Sequence, residues 1–192
     1  RAEWPDEFRL SIASEAKRQI LLEESRREAL LCFSRALAEK GISFLVVKGS
    51  ALAQQIYPEP WLRPRVDTDI LIRPADAISL AALLAELGYR RESGLSEVAR
   101  KQFTFTSPAR DAAFPHHFDI HVEILNARIF RGRWSFADLM ERSEFLPAMG
   151  ARALGLGDAI ALAALHRVVH HHNDENPLWL YDIHLLAEKL GE

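Results

Sequence analysis

The stretch FLVVKGSALAQQIYPEPWLRPRVDTDILI, from Phe44 to Ile72, constrains the fold more than any other part of the chain. Its apolar run, Phe44 to Val47, stops at Lys48-Gly49-Ser50 and gives way to Ala51, Leu52, Ala53, Gln54 and Gln55, which are compatible with a helix. That order predicts strand, tight turn, helix. Gly49 permits a sharp turn and a close backbone approach to a ligand, and Ser50 is suited to cap the helix with its hydroxyl on the same side. The N–H groups at such a helix start suit a phosphate. A second apolar strand is expected from Val66 to Ile72, interrupted by Asp67 and Asp69. Strand side chains alternate, so the two carboxylates share one face while Val66, Ile70 and Ile72 take the other. Two acids on an otherwise apolar strand are costly to bury without a cation. Their hard oxygens favour magnesium or manganese over zinc.

The flanking segments read as helices around further strands. Phe8 to Lys40 is helical, as one helix or two, and Leu10, Ile20, Leu21, Leu30, Leu31, Phe33 and Leu37 are expected to pack on the sheet before Gly41 ends the run. Pro74 opens another helix with Ile78, Leu80, Leu83, Leu84 and Leu87 on its apolar side, closed by Gly88. Tyr89 to Glu92 suggests a short strand, Ser96 to Lys101 a turn or short helix, and Gln102 to Thr106 an alternating strand. His117 to Leu125 reads as a strand with Asp119, His121 and Glu123 on one face and Phe118, Ile120, Val122 and Ile124 on the other. Pairing in one sheet would bring the two acid-bearing strands together. Beyond Asn126 come Arg128, Arg131 and Arg133 near Phe130 and Trp134, a short helix from Phe136 to Met140, and a connection marked by Gly150, Gly155 and Gly157. Helices are then expected over Asp158 to His172 and Leu178 to Leu190. The coarse division is a helical segment (1–41), a core (42–126) and a connection with a helical tail (127–192).

Composition bounds what such a chain does. At 192 residues it can bury a substantial core, and 48% hydrophobic with 27% charged residues is ordinary for a soluble globular protein. A net charge of -3 gives no electrostatic case for a general nucleic-acid binder. Cys32 is the only cysteine, which excludes an internal disulfide and makes a reducing cytoplasm the simplest home. No apolar run reaches membrane-spanning length, so no membrane partner is expected, and the N-terminus is too charged for a signal peptide. The first residue is Arg1, not Met, so the sequence reads as a trimmed chain or a fragment.

Lys48-Gly49-Ser50, the Arg63-Pro64-x-x-Asp67-x-Asp69 run with its apolar tail, and Phe118-Asp119-Ile120-His121 resemble the uncharacterised nucleotidyltransferase family of the DNA polymerase β-like nucleotidyltransferase superfamily. His166, His170 to His172 and Trp179-x-x-Asp182 are similar to that family's C-terminal helical pattern. The resemblance implies an α+β fold, a mixed sheet backed by helices, with N-terminal helices and a C-terminal helical segment. It implies an enzyme that uses magnesium or manganese to move a nucleoside monophosphate from a triphosphate such as ATP to a hydroxyl on a small molecule, a protein or an RNA end. Asp67 and Asp69 would bridge two ions and Asp119 would complete the one that activates the acceptor, with Glu123 open as a further or alternative ligand. Lys48, Gly49 and Ser50 would hold the triphosphate, and Arg63 or Arg65 would neutralise it. The same arginines also read as plain salt-bridge partners of nearby acids.

Two rivals accompany this reading. One is a catalytically inactive member that binds nucleotide, or a partner protein, on the same scaffold. The other is a metal-dependent phosphohydrolase built on His166, His170, His171, His172 and Asp182, disfavoured because three adjacent histidines cannot point one way on a helix.

Overall fold

The protein is described from a computed structural model covering residues 4–92, 102–107, 115–125, 130, 132–170 and 176–192. At its centre Phe44–Val47 forms β1, a strand buried at every position. Such continuous burial means that both faces of the sheet are covered. Phe44 and Val46 join Ile70, Ile72, Phe118 and Ile120 in one core, whereas Leu45 and Val47 join Leu71, Leu154, Leu162 and Leu186 in a second core on the opposite face.

Helix α1 (Asp6–Glu39) precedes β1, and α2 (Lys48–Gln55) follows it without a gap. Then come β2 (Thr68–Ile72), α3 (Ala77–Glu86), β3 (Arg90–Arg91), β4 (Gln102–Thr106) and β5 (His117–His121). The chain continues through α4 (Phe136–Glu141), β6 (Glu144–Leu146), β7 (Ala151–Ala153), α5 (Leu156–His170) and α6 (Pro177–Gly191). Among the described residues seven strands form one mixed sheet in the order β3-β4-β5-β2-β1-β7-β6. β2 runs antiparallel to β1 and parallel to β5, and β7 runs parallel to β1 on its other side. Helices α1 and α3 cover the first core; α4, α5 and α6 cover the second. The expected α+β architecture is thus present. No described helix is long and apolar enough to cross a membrane.

Four local expectations change. The N-terminal stretch is one helix whose buried apolar residues, Leu30, Phe33 and Leu37, are confined to its C-terminal part. Leu10, Ile20 and Leu21 are exposed. A helix of 34 residues is about 51 Å long and overruns strands of four or five residues. Ile78 is exposed while Leu80, Leu83 and Leu84 are buried, because a residue two before Leu80 lies about 200° round the helix. β2 begins at Thr68, leaving Val66 exposed instead of packed with Ile70 and Ile72. β5 ends at His121, so the alternation expected to carry on through Glu123 stops there. Beyond these, β6 and β7 were not anticipated, and they extend the sheet beyond β1. The expected turn or helix at Ser96–Lys101 and the arginines Arg128 and Arg131 lie outside the described residues.

Candidate active site

Register brings the acids together. In β2 and β5 the apolar residues Ile70, Ile72, Phe118 and Ile120 face the first core, which turns Asp69, Asp119 and His121 towards the second. The parallel pairing sets Asp69 opposite Asp119 and Leu71 opposite His121. On the far side of β2, Val47 lies opposite Asp69, so α2 starts beside that carboxylate. On the far side of β5, Thr104 lies opposite Asp119. The Thr104 hydroxyl donates to Asp119 Oδ1 at 2.5 Å, and the Gln102 amide to Oδ2 at 2.5 Å, so β4 fixes both oxygens of Asp119. Asp69, Asp119 and His121 each offer one donor atom, and these atoms lie within 4.8 Å of one another.

Asp67 precedes the paired part of β2 and is outside that group of three, but it lines the same cavity. Burial pushes its carboxyl above the ordinary carboxylate range, and the charges of Asp69 and Asp119 push it further; Lys48 only partly offsets them. Asp69 moves the other way. Burial would raise it, but the Lys48 ammonium and the hydrogen bond to His121 prevail and hold it well below the usual range. Lys48 Nζ donates to Asp69 Oδ1 at 2.7 Å and lies 3.4 Å from His121 Nε2, which in turn lies 2.8 Å from the same Asp69 oxygen. Glu123, in the bend after β5, neither belongs to the group of three nor lines the cavity.

The turn between β1 and α2 differs in detail from its expected form. The left-handed residue is Lys48, with φ 53°, the only non-glycine with positive φ among the described residues. That conformation costs an L-residue about 1–2 kcal/mol. Gly49 serves close approach instead: a Cβ there would lie 2.5 Å from Arg63 Nη1. Ser50 makes no capping bond at the helix start. Its buried hydroxyl donates at 3.3 Å to the Asp67 carbonyl or to Thr68 Oγ1 and accepts from Arg65 Nε at 3.0 Å, so it braces the acid-bearing segment.

Both arginines expected near phosphate are matched by carboxylates. Arg63 makes a two-pronged contact with Asp182 of α6, Nε to Oδ1 at 2.9 Å and Nη2 to Oδ2 at 2.6 Å, and Tyr57 donates to the same Oδ1 at 2.8 Å. Arg65 pairs with Glu23 of α1, and burial pulls its guanidinium down to about 10 despite that partner. Asp182 is therefore the counter-ion of Arg63, and it lines the same cavity as His166. His166 lines the cavity, whereas His171, His172 and the side chain of His170 lie outside the described residues.

The cavity has a volume of about 460 Å³. Its sheet side presents Lys48, Gly49, Asp67, Asp69 and Asp119; its helical side presents Leu162, His166 and Arg167 of α5 with Trp179 of α6. An acidic cluster flanked by a lysine and a helix start thus lies at the cavity, on a mixed sheet backed by helices. The chain belongs to the family described as uncharacterised nucleotidyltransferase, which matches residues 2–192. No individually curated protein matches the sequence significantly. Among solved structures the chain is similar to the antibiotic-resistance factor ANT(2'')-Ia in solution, at 14% identity and TM-score 0.58, covering 84% of this chain and 83% of that one. It is also similar to crystalline ANT(2'')-Ia in complex with adenylyl-2''-tobramycin, at 12% identity and TM-score 0.55, covering 86% and 90% of the two chains. At such identity the likeness is one of fold.

The sequence reads Arg63 and Arg65 as salt-bridge partners as well as phosphate ligands, but it does not reveal that the partners are Asp182 and Glu23, nor the roles of Gln102 and Thr104. Thr104 and Gln102 were legible as an alternating strand, but only the β4–β5 register shows that they meet Asp119.

Proposed function

We propose that the protein transfers a nucleoside monophosphate from a nucleoside triphosphate to an acceptor hydroxyl, with Asp67, Asp69 and Asp119 holding divalent magnesium or manganese. The observation that carries this reading is the side-by-side pairing of Asp69 and Asp119 at a cavity whose rim is the start of α2. The residues fit a divalent cation. Two carboxylates and an imidazole converge within 4.8 Å, and Asp67 is held above its ordinary range by burial and then by the charges of Asp69 and Asp119, which Lys48 only partly offsets. When bound, such ions screen the triphosphate and stabilise the departing pyrophosphate.

The chain's own groups supply the rest. Backbone N–H groups at the start of α2, with Gly49 lacking a side chain to obstruct them, receive phosphate oxygens, and Lys48 adds a positive charge. Gln102 and Thr104 hold the Asp119 carboxylate in one orientation, which keeps the acid cluster preorganised. In the transfer, the acceptor oxygen bonds to the α-phosphorus, the bond from that phosphorus to the pyrophosphate oxygen breaks, and the hydroxyl proton passes to solvent. The helical wall of Leu162, His166, Arg167 and Trp179 lies across from the acids and suits the acceptor or the base. The complex of ANT(2'')-Ia with adenylyl-2''-tobramycin makes ATP and hydroxyl-bearing small molecules the first combination to test.

The experiment is pyrophosphate release with magnesium, each of the four triphosphates and a panel of hydroxylated acceptors, compared with Asp67→Asn and Asp69→Asn. Turnover that needs the metal and is lost in both variants supports the reading; turnover retained in both refutes the assignment of the acids. The contact of Lys48 with Asp69 favours one competing reading, a binding-only protein whose own lysine has taken the cation's place. In that case nucleotide binds without turnover.

A further inference from the structure

Lys48 combines three features that a simple surface ion pair does not need. Its backbone sits in the left-handed region, its side chain is 21% exposed at the cavity, and its ammonium contacts the oxygen of Asp69 that also faces His121. Asp69 and His121 are two of the three residues whose donor atoms converge. A cation at the convergence point therefore meets the ammonium on the same carboxylate, where like charges repel. Removing the lysine leaves the Asp69 side chain, 9% exposed, with His121 as its one polar side-chain partner among the described residues.

We propose that Lys48 is a placeholder cation: it neutralises Asp69 in the resting protein, is displaced when a divalent ion takes that carboxylate, and then turns to the triphosphate. The proposal rests on the nucleotidyl-transfer reading above and adds the exchange of partners by one side chain. The backbone supports it geometrically. Lys48 is the first residue of α2, so the same short segment that lets its side chain reach Asp69 presents the N–H groups suited to phosphate. A swing about the lysine's side-chain torsions moves the charge between the two without moving the sheet. The result is that the Asp69 carboxylate faces a positive charge in both states, the ammonium at rest and the metal when loaded.

The two halves of this exchange predict effects of opposite sign. Free Mn2+ is followed by electron paramagnetic resonance during titration of nucleotide-free wild type, Lys48→Met and Lys48→Arg, and ATP binding is then measured by calorimetry at saturating Mn2+. Lys48→Met is expected to bind Mn2+ about tenfold more tightly and ATP about tenfold more weakly than wild type, with Lys48→Arg close to wild type in both. In EDTA, Lys48→Met should melt below wild type, and Mn2+ should restore more of its melting temperature than it adds to wild type. This thermal rescue also shows that the variant is folded. Equal or weaker Mn2+ binding by Lys48→Met, or unchanged ATP binding, overturns the placeholder role while leaving the metal site intact. Absence of Mn2+ binding in wild type and in Lys48→Met overturns both this inference and the metal-dependent reading beneath it.

Discussion

The ion pair between Arg63 and Asp182 fastens α6 to the segment between α2 and β2, across 119 residues of sequence, and Arg63→Met should expose its worth. The side chains are 7% and 3% exposed, so water cannot stand in for the lost guanidinium. Removing one partner of a buried pair costs about 3–5 kcal/mol, because the remaining charge is left uncompensated. Asp182 would keep the Tyr57 hydroxyl at 2.8 Å, which places the expected loss near the lower end, about 3 kcal/mol. For a domain of this size each kcal/mol corresponds to about 2–4 °C, so the melting temperature should fall by roughly 6–12 °C.

The assay is thermal unfolding by circular dichroism with urea denaturation alongside, on wild type, Arg63→Met, Asp182→Leu and the double variant. Because two well-packed apolar residues can replace a buried ion pair at little cost, the double variant should melt above either single one. Melting of Arg63→Met within about 2 °C of wild type would refute the reasoning, since it would mean that Asp182 is hydrated or neutralised without Arg63. Strict additivity in the double variant would equally deny the coupling.

Gly49→Ala should destabilise the protein by about 1–3 kcal/mol, because the new Cβ would fall 2.5 Å from a guanidinium that Asp182 pins in place; urea denaturation reads the loss, and a neutral effect would show that Arg63 yields freely. Asp67→Asn should raise the melting temperature of the metal-free protein at neutral pH while abolishing turnover. Its carboxyl is raised in the folded state, so ionisation disfavours folding above that raised value, and the gain should shrink as pH falls through it. A lower melting temperature at neutral pH would contradict this. Asp69 has the opposite sign: its depressed value contributes stability above the unfolded carboxylate range, about pH 4, which is lost as pH falls towards the folded value, and a melting series from pH 6 to 2 on wild type and Asp69→Asn should show the difference. His116 is buried, its Nδ1 has no partner among the described residues, and burial pulls it down to about 3. Its unfolded form takes up a proton near pH 6.5, so stability should fall below that pH by up to about 1.4 kcal/mol per unit until about pH 3, and His116→Leu should flatten that slope.

What the sequence made legible was whatever local periodicity encodes. The β1 run, the helix that follows it and the alternation in β2 and β5 follow from spacing alone and are present. The meeting of the two acid-bearing strands was legible only as a condition, that they pair in one sheet, and β2 and β5 meet it. Periodicity fails where elements are too short to show it. β6 and β7 have three residues each, and nothing in Glu144–Leu146 or Ala151–Ala153 distinguishes a strand from a connection. It fails again where an apolar residue has no neighbour to cover it: Leu10 and Leu21 look like core until the length of α1 is set against that of the sheet.

The site shows a third kind of limit. Spacing can say that Asp67 and Asp69 share a face, but it cannot say which of them meets β5. That is decided by where pairing begins. Because Thr68 is the first residue of β2 in register with β5, Asp69 gains Asp119 as its neighbour and Asp67 does not. The antiparallel register with β1 then sets Asp69 opposite Val47, one residue before Lys48. One choice of register on each side of β2 thus places the ammonium, two carboxylates and His121 together, and Asp67 is left on the cavity wall feeling their charge. The chemical difference between two aspartates separated by a single threonine, one held below its ordinary range and one above it, is accordingly a property of the sheet and not of the Asp-x-Asp motif.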